Sequence, residues 1–122
     1  PADPWKTYRQ GWSGNDLVTI DNCMGLWIDI IEPGDNLLTV EGTAPVSTNI
    51  ELYAGWNLVG YPSSTSQPAS DALSGTGADI ISVYAPAAPY VADTTDLASV
   101  TMSQGNAYWV HVTSYCTWVV DY

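Results

Sequence analysis

Phenylalanine is absent from this chain, and only two side chains are basic, Lys6 and Arg9. Against thirteen carboxylates they leave a formal net charge of −11. A phosphate backbone or an anionic membrane surface is repelled by such a field, which excludes nucleic-acid binding as a function class. One histidine and two cysteines are too few for a His/Cys metal centre, and neither cysteine has a CxxC context. No apolar run approaches the roughly 18 residues that a membrane-spanning helix needs. Calcium loops of the DxDxDG type are missing, and Gly75-Thr76-Gly77 is not a phosphate loop. Gly11-Trp12-Ser13-Gly14 lacks the spacing of a nucleophile elbow. The chain opens Pro1-Ala2-Asp3-Pro4 with neither Met nor a signal peptide. That is the pattern expected of a chain whose leader was removed or of a piece cut from a longer one.

What is present argues for a folded β protein. At 122 residues, 46% of them apolar, the chain is expected to form a single domain, residues 1–122, with a real core. Six Trp and eight Tyr supply every aromatic side chain, and both types suit strands and half-wet surfaces because each carries a polar handle. Scarce lysine, an acidic balance and turns rich in Ser, Thr, Gly and Pro point to an extracellular setting. In an oxidising compartment Cys23 and Cys116 are expected to form a disulfide tying the two ends of the chain; free thiols and an intermolecular bond are the alternatives. By the loop-entropy model an intrachain bridge would add roughly 4 kcal/mol.

Periodicity predicts many short strands. Leu26 to Ile31 is a β-branched run closed by Glu32-Pro33-Gly34-Asp35-Asn36, where Pro then Gly is type II turn chemistry. Leu37 to Glu41 reads as the second arm of that hairpin. Thr48 to Tyr53 places Ile50 and Leu52 on one face, and Gly55 to Gly60 follows as a strand buried on both sides. Further strands are read at Asp79–Ala85, Tyr108–Val112 and Thr117–Tyr122, with a short edge strand near Trp5–Tyr8. Residues 85–90 and 93–96 read as loop, and Leu97–Met102 as strand or irregular. One short helix is expected near residues 68–74, capped by Ser66 or Gln67, ended by Gly75 and docked through Leu73. Turn signals every eight to twelve residues give an all-β fold, a sandwich or barrel-like arrangement.

An internal repeat organises these strands. Leu26-Trp27-Ile28-Asp29-Ile30 lies over Tyr108-Trp109-Val110-His111-Val112, and past the turn Leu38-Thr39-Val40-Glu41 lies over Trp118-Val119-Val120-Asp121. Residues 1–42 form a partial first repeat and residues 48–122 a complete second one. If the paired copies ran side by side and antiparallel, Cys23 and Cys116 would meet. The motif Leu52-x-x-Gly55-Trp56-Asn57-Leu58-Val59-Gly60-x-Pro62, a following Ala72-Leu73 helix, Ser82-Val83-Tyr84 and Gly105-x-x-Tyr108-Trp109-Val110-His111-Val112 complete the pattern. It resembles a tandemly repeated domain of secreted archaeal and bacterial cell-surface proteins, adhesin-like or S-layer-like. The resemblance covers residues 48–122 and, as a partial copy, 16–42. It implies a non-enzymatic surface module and brings no catalytic residues with it.

Candidate sites each have a bland counterpart. His111 is the one potential general base, but it lacks companions at fixed spacing, so a strand-pair or surface His–Asp contact is expected; its repeat counterpart is Asp29. Trp5, Tyr8, Trp12, Trp27 and Trp109 are candidates for a subunit interface, a core or a glycan-stacking platform. Asp93 and Asp96 are weak calcium candidates beside the plainer reading of solvated loop charge; otherwise no metal and no cofactor is expected. The sequence reading is therefore an extracellular, non-enzymatic structural module. It is expected to self-assemble with sister subunits by β-strand addition, because an incomplete leading repeat leaves apolar edges in need of a partner. The alternative is a carbohydrate-binding module using exposed Trp and Tyr to hold glycans.

Overall fold

The computed structural model describes residues 5–122. It is an antiparallel all-β structure with a single one-turn helix. The strands are β1 Ser47–Leu52, β2 Gly55–Gly60, β3 Gln67–Pro68, β4 Ala78–Tyr84, β5 Val91–Thr94, β6 Thr101–Met102, β7 Ala107–Val112 and β8 Cys116–Asp121. Helix α1 is Ala69–Ala72 and a 3-10 turn spans Leu97–Ser99. β2, β7, β4 and β5 form a four-stranded sheet in that order, while β1 pairs with β8 and β3 with β6.

Two ladders follow one another along the same two stretches of chain. β1 runs against β8 from Ser47↔Asp121 to Leu52↔Cys116, and β2 runs against β7 from Gly55↔Val112 to Gly60↔Ala107. The join needs a tight turn at Tyr53-Ala54, and Gly55 supplies it with φ of +103°, a conformation that costs a residue without Cβ little. Asn57 then clips the corner. Its Oδ1 accepts the Tyr53 N–H at 2.9 Å, and its Nδ2 donates to the carbonyls of Tyr53 at 2.9 Å and Val110 at 3.3 Å. The Gly-Trp-Asn order of the motif is thus explained by local backbone bonding.

Strand alternation then decides what is buried. Ile50 and Leu52 of β1, Trp118 and Val120 of β8, and Tyr108, Val110 and Val112 of β7 share one core cluster with Val59, Ile81, Leu73 and Met102. The helix docks there through Leu73, as the sequence reading expects, and the Trp118 Nε1–H donates to the Ala72 carbonyl at 2.6 Å. Tyr61 stacks on Trp118 with ring centroids 6.3 Å apart, and its Oη donates to the Thr65 carbonyl. The cap differs from expectation. Pro68 occupies the N-cap position with no side-chain bond, because Gln67 and Pro68 are engaged as β3 and Gln67 Nε2 bonds Tyr61 Oη instead.

Leu97–Met102, read as strand or irregular, holds both a 3-10 turn and the short strand β6. Three other expectations are corrected. Residues 93–96 are not all loop: Val91–Thr94 is edge strand β5, recruited by β4 through Ile81↔Thr94 to Tyr84↔Val91. Trp5–Tyr8 is not a strand. The hairpin of Leu26–Ile31 and Leu37–Glu41 also forms no ladder, although its turn is made, with Gly34 at φ +97° and Asn36 Nδ2 donating to the Gly34 carbonyl at 3.0 Å. A two-stranded hairpin with nothing to cover its apolar face is marginal in water. Here both arms lie exposed.

The disulfide expected between Cys23 and Cys116 is not formed either; both thiols are free. Cys116 lies opposite Leu52, and its Sγ faces the Thr76 carbonyl at 3.4 Å. Cys23 Sγ instead lies 3.8 Å from the carbonyl of Asn49, three residues earlier on β1. At about 3.3 Å per residue that offset is about 10 Å along the strand, beyond the reach of an S–S bond. The pseudo-equivalent strands do not run side by side, which was the arrangement needed to bring the two cysteines together.

Candidate functional site

Two surfaces carry the side chains that the core leaves unused. The first is the face of the four-stranded sheet opposite the core. Register places Leu58, Trp109, Ser82 and Asp93 in one row across β2, β7, β4 and β5. The neighbouring row holds Trp56, His111 and Ile80. Trp56, Trp109, Ser82, Val91 and Asp93 line an open groove on this face. Trp5 reaches over from the N-terminal segment to Trp109, with ring centroids 5.5 Å apart and planes inclined by 59°.

His111 is held in place beside this groove. Its Nδ1 lies 2.6 Å from Oδ1 of Asp79, and the Trp56 ring meets its imidazole edge-on at 5.2 Å. The hydrogen bond to His111 holds the Asp79 carboxyl below its ordinary value of 3.8. The expected His–Asp contact therefore exists, and Asp79 is the partner because β4 is the strand paired with this part of β7. The contact fixes the orientation of the His111 ring.

The second surface is the N-terminal segment. Residues 7–17 close on themselves: Asp16 Oδ1 accepts the Thr7 N–H at 2.6 Å, and Asn15 exchanges two bonds with the Arg9 backbone. The Thr7 bond, aided by Lys6 at 3.6 Å, lowers the Asp16 pKa. Tyr8 and Trp12 project from this loop, both exposed, with the Trp12 ring lying over Gly14, where any Cβ would strike it. The segment next crosses the edge of β2. Met24 bridges Val59, the Gly60 N–H donates to the Cys23 carbonyl at 2.9 Å, and Gly25 passes close over Leu58. Partial burial and the nearby Asp21 carboxylate push the Cys23 thiol pKa up.

Beyond Gly25 the apolar side chains stand in water. Leu26, Trp27, Ile28, Ile30, Ile31, Leu37, Leu38 and Val40 are all exposed, Ile31 at 84% and Leu37 at 92%. In extended chain Leu26, Ile28 and Ile30 share one face, as do Leu38 and Val40. On the sheet, β5 pairs among the described residues with β4 alone, so its outer edge is open.

Of the aromatic candidates, the structure brings Trp5 and Trp109 together and leaves Tyr8, Trp12 and Trp27 at separate exposed positions. Trp56 and Ser82, which the sequence reading treated as motif residues, belong to the groove. Only the strand register, which no local signal states, puts them beside Trp109. Asp93 and Asp96 join no group of three or more metal-ligating side chains among the described residues. Asp93 lines the groove, while Asp96 caps the 3-10 turn through its backbone. No helix of the described residues is long and apolar enough to cross a membrane. Comparison with protein-family models, curated proteins and solved structures gives no match to this chain.

Proposed function

We propose that this chain is a non-enzymatic, extracellular structural module of the adhesin-like or S-layer-like kind. Its copies join into a filament or surface layer by β-strand addition. One observation carries the reading: a β-prone stretch, Leu26 to Val40, holds eight large apolar side chains in water and pairs with no strand among the described residues. Such stretches are aggregation hazards unless a partner covers them. An open strand edge on a neighbouring copy offers the missing backbone bonds, and alternate side chains of the donor then choose the register. Each Ile or Leu covered in this way contributes about 1.5–3 kcal/mol. Leu26, Ile28 and Ile30 together contribute about 4.5–9 kcal/mol against about 6–12 kcal/mol for ordering six residues, so the backbone bonds to the receiving edge are needed as well.

The test is to image the native protein and measure its size as concentration rises. The wild-type chain is expected to form regular polymers. The double variant Ile28→Lys/Ile30→Lys, altered only on the donor face, is expected to stay monomeric with an unchanged β-rich spectrum. Polymers that persist in the double variant, or a wild-type chain that stays monomeric, contradict the reading.

A further inference from the structure

We propose that the groove lined by Trp56, Trp109, Ser82, Val91 and Asp93 binds a neutral glycan built of hexopyranose units. Trp56 and Trp109 sit diagonally on adjacent strands of one sheet face and line the groove with Val91, Trp5 tilting against Trp109 from the N-terminal side. Ser82 and Asp93 continue the Trp109 row across the next two strands, about 10 Å in all at the usual strand spacing. That span is close to the length of two sugar rings.

The polar groups here are what set this groove apart from a patch of exposed aromatics. Ser82 Oγ is buried, the residue being 3% exposed, and has no hydrogen-bond partner. Buried hydroxyls are normally bonded, and those that are not call for an explanation. Among the described residues the Asp93 carboxylate and the indole N–H groups of Trp56 and Trp109 make no protein hydrogen bond either. The groove therefore offers two indole donors, a carboxylate acceptor and a hydroxyl able to do both, all around apolar ring faces. A pyranose has the complementary build, with C–H faces for the rings and a rim of hydroxyls that both donate and accept.

Other ligand classes fit less well. Anionic ligands meet Asp93 and a chain of net charge −11. An apolar side chain would leave every polar group in the groove unpaired. A quaternary ammonium could stack on the two indoles beside Asp93, but it has no acceptor for the indole N–H groups or for Ser82. The donor segment 26–41 contributes no residue to this groove, while Val91 and Asp93 lie on β5, whose outer edge is the open one.

The experiment follows Trp emission and backbone NMR shifts of the whole chain. Cellohexaose, laminarihexaose and maltohexaose are titrated separately, with tetramethylammonium as the competing probe. At least one hexaose is expected to bind with a Kd on the order of 0.1–1 mM, with shifts centred on Trp56, Trp109 and Asp93. Asp93→Asn is expected to weaken it about tenfold. Ser82→Ala removes an unpaired hydroxyl, so it is expected to keep the fold while weakening binding several-fold; Trp27→Ala is expected to leave binding unchanged. Three hexaoses without effect, binding of tetramethylammonium alone, or sugar binding untouched by both Asp93→Asn and Ser82→Ala would overturn the proposal.

Discussion

At the scale of single residues, the aspartates divide by what faces them. Asp79 is exposed yet tied to His111 at 2.6 Å, and that bond lowers its carboxyl pKa below 3.8. A carboxyl whose folded pKa lies below its unfolded one stabilises the fold above the unfolded value, and the contribution is lost as pH falls through the folded value. The expected outcome is a 13C-carboxyl titration of Asp79 with its midpoint below 3.8, moving up towards 3.8 in His111→Ala. A midpoint indifferent to that substitution would remove the His–Asp contact from the account. At this same scale the sequence is legible where one residue settles its own backbone. Gly34 is a turn signal in the sequence, and it takes positive φ in the structure. Trp56 and Ser82 were legible only as members of a strand motif, because their role in the groove depends on which strands lie beside them.

At the scale of elements, the strands with a burial period of two were legible, and the strand with a polar sequence was not. β1, β7 and β8 alternate buried and exposed positions, so their pattern states both their type and their inner face. β5 carries Asp93 and Thr94 and exists because β4 offers it an edge, a long-range fact with no local trace. The 26–41 hairpin shows the reverse case, since strong β propensity and a good turn do not supply the third layer that a ladder needs. What fixes this segment to the body is its crossing at β2. A Cβ on Gly60 would stand 2.8 Å from the Met24 carbonyl oxygen and 3.0 Å from that of Asn22, both backbone atoms with no rotamer to yield. Gly60→Ala is expected to displace residues 22–25 and to destabilise the fold by about 1–3 kcal/mol. Faster amide exchange at Met24 and Gly60 would report the displacement. Unchanged protection there would mean that the crossing is loose.

At the scale of the whole molecule, two features pull against each other. A net charge of −11 keeps copies apart, while the uncovered side chains of Leu26 to Val40 would draw them together under the proposed strand addition. Both basic residues lie in the N-terminal segment, so the body of the chain is almost purely acidic. Salt weakens the repulsion over a screening length of about 8 Å at physiological ionic strength and leaves the apolar attraction in place. The all-β class could be read from strand spacing and turn chemistry alone. What the unpaired segment does could not, because no strand among the described residues pairs with it.

The central claim is that Leu26–Ile31 becomes a strand only when a neighbouring copy receives it. Amide hydrogen exchange of this segment, compared between dilute chain and chain concentrated at physiological salt, tests that most directly. The account predicts exchange close to that of free chain when dilute and strong, alternating protection once copies associate. Association that leaves residues 26–31 exchanging as freely as before, or strong protection already present in the dilute monomer, would contradict it.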